Sequence, residues 1–142
     1  MASRGMEPTI TQGSGVYANS SAYSSALPAR WDIVTFTPPS RATTSKEEQV
    51  WVMRIVGLPG ETISYAGSTV EIQGKTYNHP PNLKHIQYLG AEKMSARPKI
   101  KAPRVVLGPQ EYFVLGDNPK MAADSRYCGA LPLGNITGRV EQ

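Results

Sequence analysis

"QVWVMRIVG", residues 49–57, is the stretch from which the fold is read. It is almost continuously apolar, and its β-branched and aromatic members suit a pleated backbone. Alternation along a strand puts Val50, Val52, Arg54 and Val56 on one face and Trp51, Met53 and Ile55 on the other. Apolar groups on both faces predict a central strand.

Working outward, the neighbouring segments carry the same signature. "GLPGE" (57–61) supplies a turn, and "TISYAGSTVEIQGKTY" (62–77) holds two more, at Ala66-Gly67-Ser68 and Gln73-Gly74, between β-branched segments. That pattern is a meander. "WDIVTF" (31–36) is a short β-prone run closed by Pro38 and Pro39, which cannot donate to a ladder. "RVVLG", "EYFVLGDN" and "NITGRV" add further strands. Residues 11–29 are serine-rich, but Val16, Tyr17, Tyr23 and Leu27 prefer burial and predict a strand followed by an irregular loop. Only "PKMAADSR" (119–126) offers a turn or two of helix. The predicted fold class is mainly antiparallel β.

A chain of 142 residues with 39% hydrophobic content is long enough for one core, or one core with a small insert. The single cysteine, Cys128, excludes an internal disulfide framework, so packing alone must hold the fold. No apolar run approaches the ~20 residues that span a bilayer, and Met1 to Gly5 lacks a signal-peptide pattern, so the chain reads as soluble. The net charge of +4 is unevenly spread. Lys84, Lys93, Arg97, Lys99, Lys101 and Arg104 face only Glu92, which raises anionic lipid or nucleic acid as partners. A solvated loop is the simpler reading, because no aromatic residue is interleaved within 93–104 to stack on bases.

Four blocks then stand in order: "SRGMEPTI" (3–10), "WDIVTF" (31–36), "MRIVGLPGE" (53–61) and "YFVLGDNPKMAADSRYCG" (112–129). Together they resemble bacterial signal peptidase I, the membrane-tethered Ser/Lys protease that removes signal peptides. The "WDIV" block is similar to that family's Gly-Asp-Ile-Val. A serine can attack an amide there because a lysine, its pKa lowered by apolar burial, takes the hydroxyl proton. A second serine orients the lysine, and the oxyanion is met by a backbone N–H and a further serine hydroxyl.

The resemblance places the nucleophile at Gly5, the general base at Met53 and the lysine-orienting serine at Ala122, so all three reactive groups are missing. Ser3 matches the oxyanion serine. Arg54, Asp117, Asn118, Asp124 and Arg126 match residues that brace the site, with Arg54 expected to pair with Asp117 and Asp124 with Arg126. Met6, Ile10, Trp51 and Val52 match positions that line the pockets for small signal-peptide residues, and each equally suits a core. Groups that act as one catalytic unit are strongly non-additive, so loss of one frees the rest to change.

The resemblance therefore implies a signal-peptidase-type β core over 3–77 and 104–142, with a small cap or insert at 78–103. It implies a pseudo-peptidase that binds an extended, signal-peptide-like segment or preprotein end at the extracytoplasmic face of the cytoplasmic membrane, with an anchor that preceded Met1. The alternatives are an active endopeptidase using Ser3 or Ser125, for which Lys120, in a loop expected to be wet, is the only lysine in the matching blocks, and a basic nucleic-acid-binding module. No cofactor is implied. His79 and His85 lack a third ligand at suitable spacing for a metal, and Cys128, where the family motif has an aromatic residue, reads as a small hydrophobe.

Overall fold

The computed structural model describes residues 4–39, 49–65, 67–90 and 104–141. Among the described residues, ten strands form two antiparallel sheets. The larger runs β1 (Tyr17–Asn19), β10 (Ile136–Glu141), β2 (Ile33–Phe36), β3 (Trp51–Gly57), β8 (Glu111–Leu115) and β9 (Leu131–Pro132) in spatial order. The smaller runs β6 (Lys75–Tyr77), β5 (Val70–Ile72), β4 (Thr62–Ser64) and β7 (Arg104–Val106). The chain leaves the large sheet after β3 and returns to it at β8. The cap expected at 78–103 lies within that excursion, and its residues 91–103 fall outside the described ones.

β3 is central, as its composition requires. It pairs with β2 through Val34–Met53 and with β8 through Arg54–Leu115 and Ile55–Val114. The two strands form a wall between two cores. Met53, Ile55, Tyr112 and Val114 point into a core with Met6, Ile10, Ile33, Val34 and Phe36. Val56, Phe113 and Leu115 point into a second with Ile63, Val70, Ile72, Ile86 and Leu107. Burying both faces of one strand is why its sequence shows so little polar alternation. Val52 departs from the simple two-face reading, since it packs beside Trp51 against the first core, and Val50 lies outside the strand, 55% exposed.

The small sheet follows from its turns. Gln73 and Gly74 have φ of 52° and 80°, the two-residue hairpin geometry with both central residues left-handed. At the crossing between sheets, Arg30 Nη1 and Nη2 hold Glu61 Oε1 and Oε2 at 2.8 and 2.7 Å, and Arg30 Nη1 also donates to the Val56 carbonyl. Burial pushes the Glu61 carboxyl up, but Arg30 and the Leu58 N–H outweigh it and leave its pKa lowered.

Two expectations are corrected. Tyr17 and Leu27 are both 71% exposed rather than buried, because β1 is an edge strand and Leu27 lies in the irregular loop beyond it. The helix predicted within 119–126 is α1, Ser125–Cys128. Asp124 accepts the Arg126 N–H and caps it, so the helix begins only after that carboxylate, and 119–121 form a turn closed on the Asn118 carbonyl. Among the described residues no helix is long and apolar enough to cross a membrane.

Gly57 marks where the sheets meet. A Cβ there would lie 2.7 Å from Ile63 Cδ1 and 2.8 Å from Phe113 Cβ. The isoleucine tip can turn aside, but the phenylalanine Cβ is fixed to its backbone. Gly57→Ala is expected to lower stability by about 1–3 kcal/mol, read as a shift of the urea midpoint with little change in slope.

Candidate functional site

The site grows from the end of β8. Beyond Leu115 the chain turns through Gly116, Asp117 and Asn118 and clasps a 3-10 turn at Arg4–Met6. Asn118 donates its backbone N–H to the Gly5 carbonyl at 2.9 Å and its side-chain amide to the Arg4 carbonyl at 3.0 Å. The Asp117 N–H meets Met6 Sδ at 3.5 Å. Gly116 fits between the partners: a Cβ there would stand 2.5 Å from the Gly5 carbonyl oxygen and would also strike Ala122 Cβ. Gly5 and Ala122 are thus neighbours across Gly116, although 117 residues separate them in sequence.

Asp117, buried at 2% exposure, uses all its acceptor positions. Oδ1 takes Arg54 Nε and the Tyr88 hydroxyl, each at 3.0 Å. Oδ2 takes Arg54 Nη2 at 2.7 Å and the Thr9 hydroxyl at 2.6 Å. A carboxylate has about four lone-pair sites, so this one is fully satisfied. Burial works against the Arg54 charge, but the Asp117 hydrogen bonds and charge outweigh it and hold the guanidinium pKa above its usual value. Burial, and then the Asp117 charge, push the Tyr88 phenol upward.

A second buried pair lies alongside. Asp124 binds Arg126 Nε at 2.8 Å and Nη2 at 2.7 Å, and accepts the Gly116 N–H at 3.1 Å. The Arg126 guanidinium continues to the Leu89 and Pro119 carbonyls, each at 3.0 Å. Its pKa is raised too, Asp124 overcoming the penalty of burial.

Matching this architecture, the model of the signal peptidase, peptidase S26 family covers residues 1–142. The chain belongs to the signal peptidase family. It is 32% identical over 138 residues to signal peptidase I V of Bacillus subtilis strain 168, covering 94% of this chain and 76% of that protein. It is 29% identical over 141 residues to signal peptidase IB of Staphylococcus aureus, covering 95% and 70%. A crystal structure of a signal peptidase I from Enterococcus faecalis V583 superposes with a TM-score of 0.52 at 29% identity, over 80% of this chain and 97% of that one. The mainly antiparallel β architecture is that of a signal peptidase I-like domain.

Within this signal peptidase-like frame, the predicted pairs Arg54–Asp117 and Asp124–Arg126 both form. Met53 is buried at 6% exposure in the first core, on the strand against which the Gly5 turn packs. Met6 and Ile10 are buried in the same core, at 1% and 7%, while Trp51 and Val52 are only partly covered. Ser3 lies outside the described residues. Ser125 is fully buried, and its hydroxyl accepts the Val114 N–H at 2.9 Å. Lys120 is exposed, and Cys128 donates its thiol to the Asp124 carbonyl at 3.3 Å.

Sequence reasoning missed Thr9, Tyr88 and Gly116. Thr9 sits inside the first quoted block and Gly116 inside the last, but neither residue's spacing reveals its partner. Tyr88 falls in a stretch read as an insert, where no periodicity marks it.

Arg54→Met would leave the Asp117 carboxylate buried with only hydroxyl donors. The expected loss is about 3–5 kcal/mol, measured by chemical denaturation. Tyr88 gives a pH test. Its folded pKa is raised above the unfolded value of about 10, so its contribution is complete below that pH and is lost as pH rises toward the folded value. Stability should therefore fall above about pH 10, and less steeply in Tyr88→Phe, where Tyr23, Tyr65 and Tyr112 remain as the other raised phenols.

Proposed function

We propose that this signal peptidase-like domain is catalytically silent and holds an extended, signal-peptide-like segment without cutting it. The observation that carries the reading is the contrast at the site. The buried braces are complete, while the positions where the family's chemistry calls for a hydroxyl, an amine and a second hydroxyl hold Gly5, Met53 and Ala122. Met53 is unbranched like lysine and fills an apolar slot, but a thioether cannot take a proton. Ser125, one alternative nucleophile, has its hydroxyl enclosed and engaged by Val114.

The location of a bound segment follows from strand register. β8 ends opposite Arg54, whereas β3 begins at Trp51, so residues 51–53 pair with β2 on one side and extend past β8 on the other. The Ile55 N–H and C=O both engage the β2 side. Alternation then turns the N–H and C=O of Val52 toward the edge beyond β8. An extended peptide can join there through main-chain hydrogen bonds, with side chains reaching Trp51 and Val52. The relatives are signal peptidases, which supports preprotein ends as the class of segment and the outer face of the cytoplasmic membrane as the place.

Titration calorimetry with peptides ending in Ala-X-Ala is expected to show binding, with no preprotein cleavage by the parent chain. Restoring Gly5→Ser, Met53→Lys and Ala122→Ser together is expected to raise cleavage at least about a thousandfold, because an amine at the buried position 53 would be held neutral by desolvation. Cleavage by the parent itself would overturn silence. Absence of heat at millimolar peptide would overturn the groove.

A further inference from the structure

We propose a second binding site, at the free edge of the small sheet, for a flat ring that carries a phosphate monoester. A cleft of about 380 Å³ is lined by Arg30, Trp31, Lys75, Tyr77, Asn78 and His79, within the range of small-ligand pockets. Its walls supply both parts of such a ligand's complement. The Trp31 and Tyr77 rings lie 5.8 Å apart, tilted by 49°. Arg30 Cζ and Lys75 Nζ stand 5.8 and 5.7 Å from the Tyr77 centroid.

The two cations differ in what they have left to give. Arg30 is committed to Glu61 and the Val56 carbonyl. Lys75, an exposed residue of β6, forms no ion pair among the described residues. With the guanidinium fork occupied, the free charge is a compact ammonium, which suits a phosphate better than the bidentate geometry of a carboxylate. His79 Nδ1 lies 2.8 Å from the Pro80 carbonyl, which can only accept. Nδ1 therefore donates there, and Nε2 is the ring nitrogen left for a phosphate oxygen or hydroxyl.

Trp31 carries the most unusual backbone in the cleft. Its φ is +79°, a conformation in which a bulky residue is a true outlier and glycine is at ease. The strain is held in place from both sides: the Trp31 N–H donates to the Ile55 carbonyl at 2.8 Å, and its carbonyl accepts Arg54 Nη1 at 2.9 Å. The backbone of this turn asks for glycine, yet the chain places an indole there, partly buried against Tyr77. Persistent strain of this kind concentrates at binding and active sites. The inference stands apart from the peptide groove and does not rest on it.

The test is a titration of the full chain with phenyl phosphate, following the indole N–H signals of Trp31 and Trp51 and the phosphorus resonance of the probe. A saturable shift of the Trp31 signal at millimolar probe is expected, with Trp51 unmoved. Lys75→Gln should weaken binding about fivefold, and phenol or inorganic phosphate alone should bind more weakly than the joined probe. Trp31→Gly, which suits the backbone and should keep the fold, should abolish the phosphorus response. The proposal is overturned by the absence of a saturable shift, by inorganic phosphate binding as well as phenyl phosphate, or by parent-like binding in either variant.

Discussion

The carboxylate of Asp117 is the point on which the rest of the site depends. It gathers donors from three places far apart in sequence onto the turn that follows β8: Thr9 beyond the N-terminal turn, Arg54 on the central strand, and Tyr88 in the segment after β6. A buried ion pair of this kind adds little net stability, because desolvation offsets most of the Coulombic gain. Its effect is to permit one arrangement. Any slippage of β3 against β8 would leave a charge in the interior without its partners, so the polar contact fixes a register that apolar packing alone tolerates in several forms. Asp124 and Arg126 repeat the device, and the Gly116 N–H ties the second pair to the first.

This frame serves folding whether or not chemistry occurs within it. Gly5 is held by Asn118 through its carbonyl, a contact indifferent to the side chain at position 5. Ala122 packs through its Cβ alone beside Gly116. Met53 contributes to the first core, where an amine would have to be desolvated. Each of the three residues at the reactive positions is therefore compatible with the fold, and for Met53 the apolar choice is the less costly one. The braces lack that freedom, since removing one partner of a buried pair leaves the other charge exposed to an apolar interior. That asymmetry explains how a complete set of buried pairs can surround Gly5, Met53 and Ala122.

How much of this was legible in the sequence depended on the range of the interaction. The central strand, the Gln73-Gly74 hairpin and the short strands were readable because local pattern and turn chemistry decide them. The pairs Arg54–Asp117 and Asp124–Arg126 were legible through family resemblance, which carries long-range geometry that spacing does not. The roles of Thr9 and Tyr88 were hidden, because a lone hydroxyl gives no sign of a partner 108 or 29 residues away. Tyr17 and Leu27 misled because hydrophobicity reports a preference for burial, whereas the edge position of β1 decides what is available. The helix was displaced because Asp124, taken as a site brace, also acts as the cap from which α1 starts.

Trp31 shows the reverse case, a residue whose local disagreement with its backbone is the informative feature. Sequences that specify one structure agree at every level, and departures from that agreement gather where something other than folding is selected. An indole in a left-handed turn lowers the consistency of this chain without filling either core cluster, since it packs only at the margin of the second. Its carbonyl is also the third partner of Arg54, the residue that holds Asp117. This turn thus touches both the aromatic cleft and the buried Arg54–Asp117 pair. Its backbone is fixed by the bonds to Ile55 and Arg54, which leaves the side chain to face Tyr77.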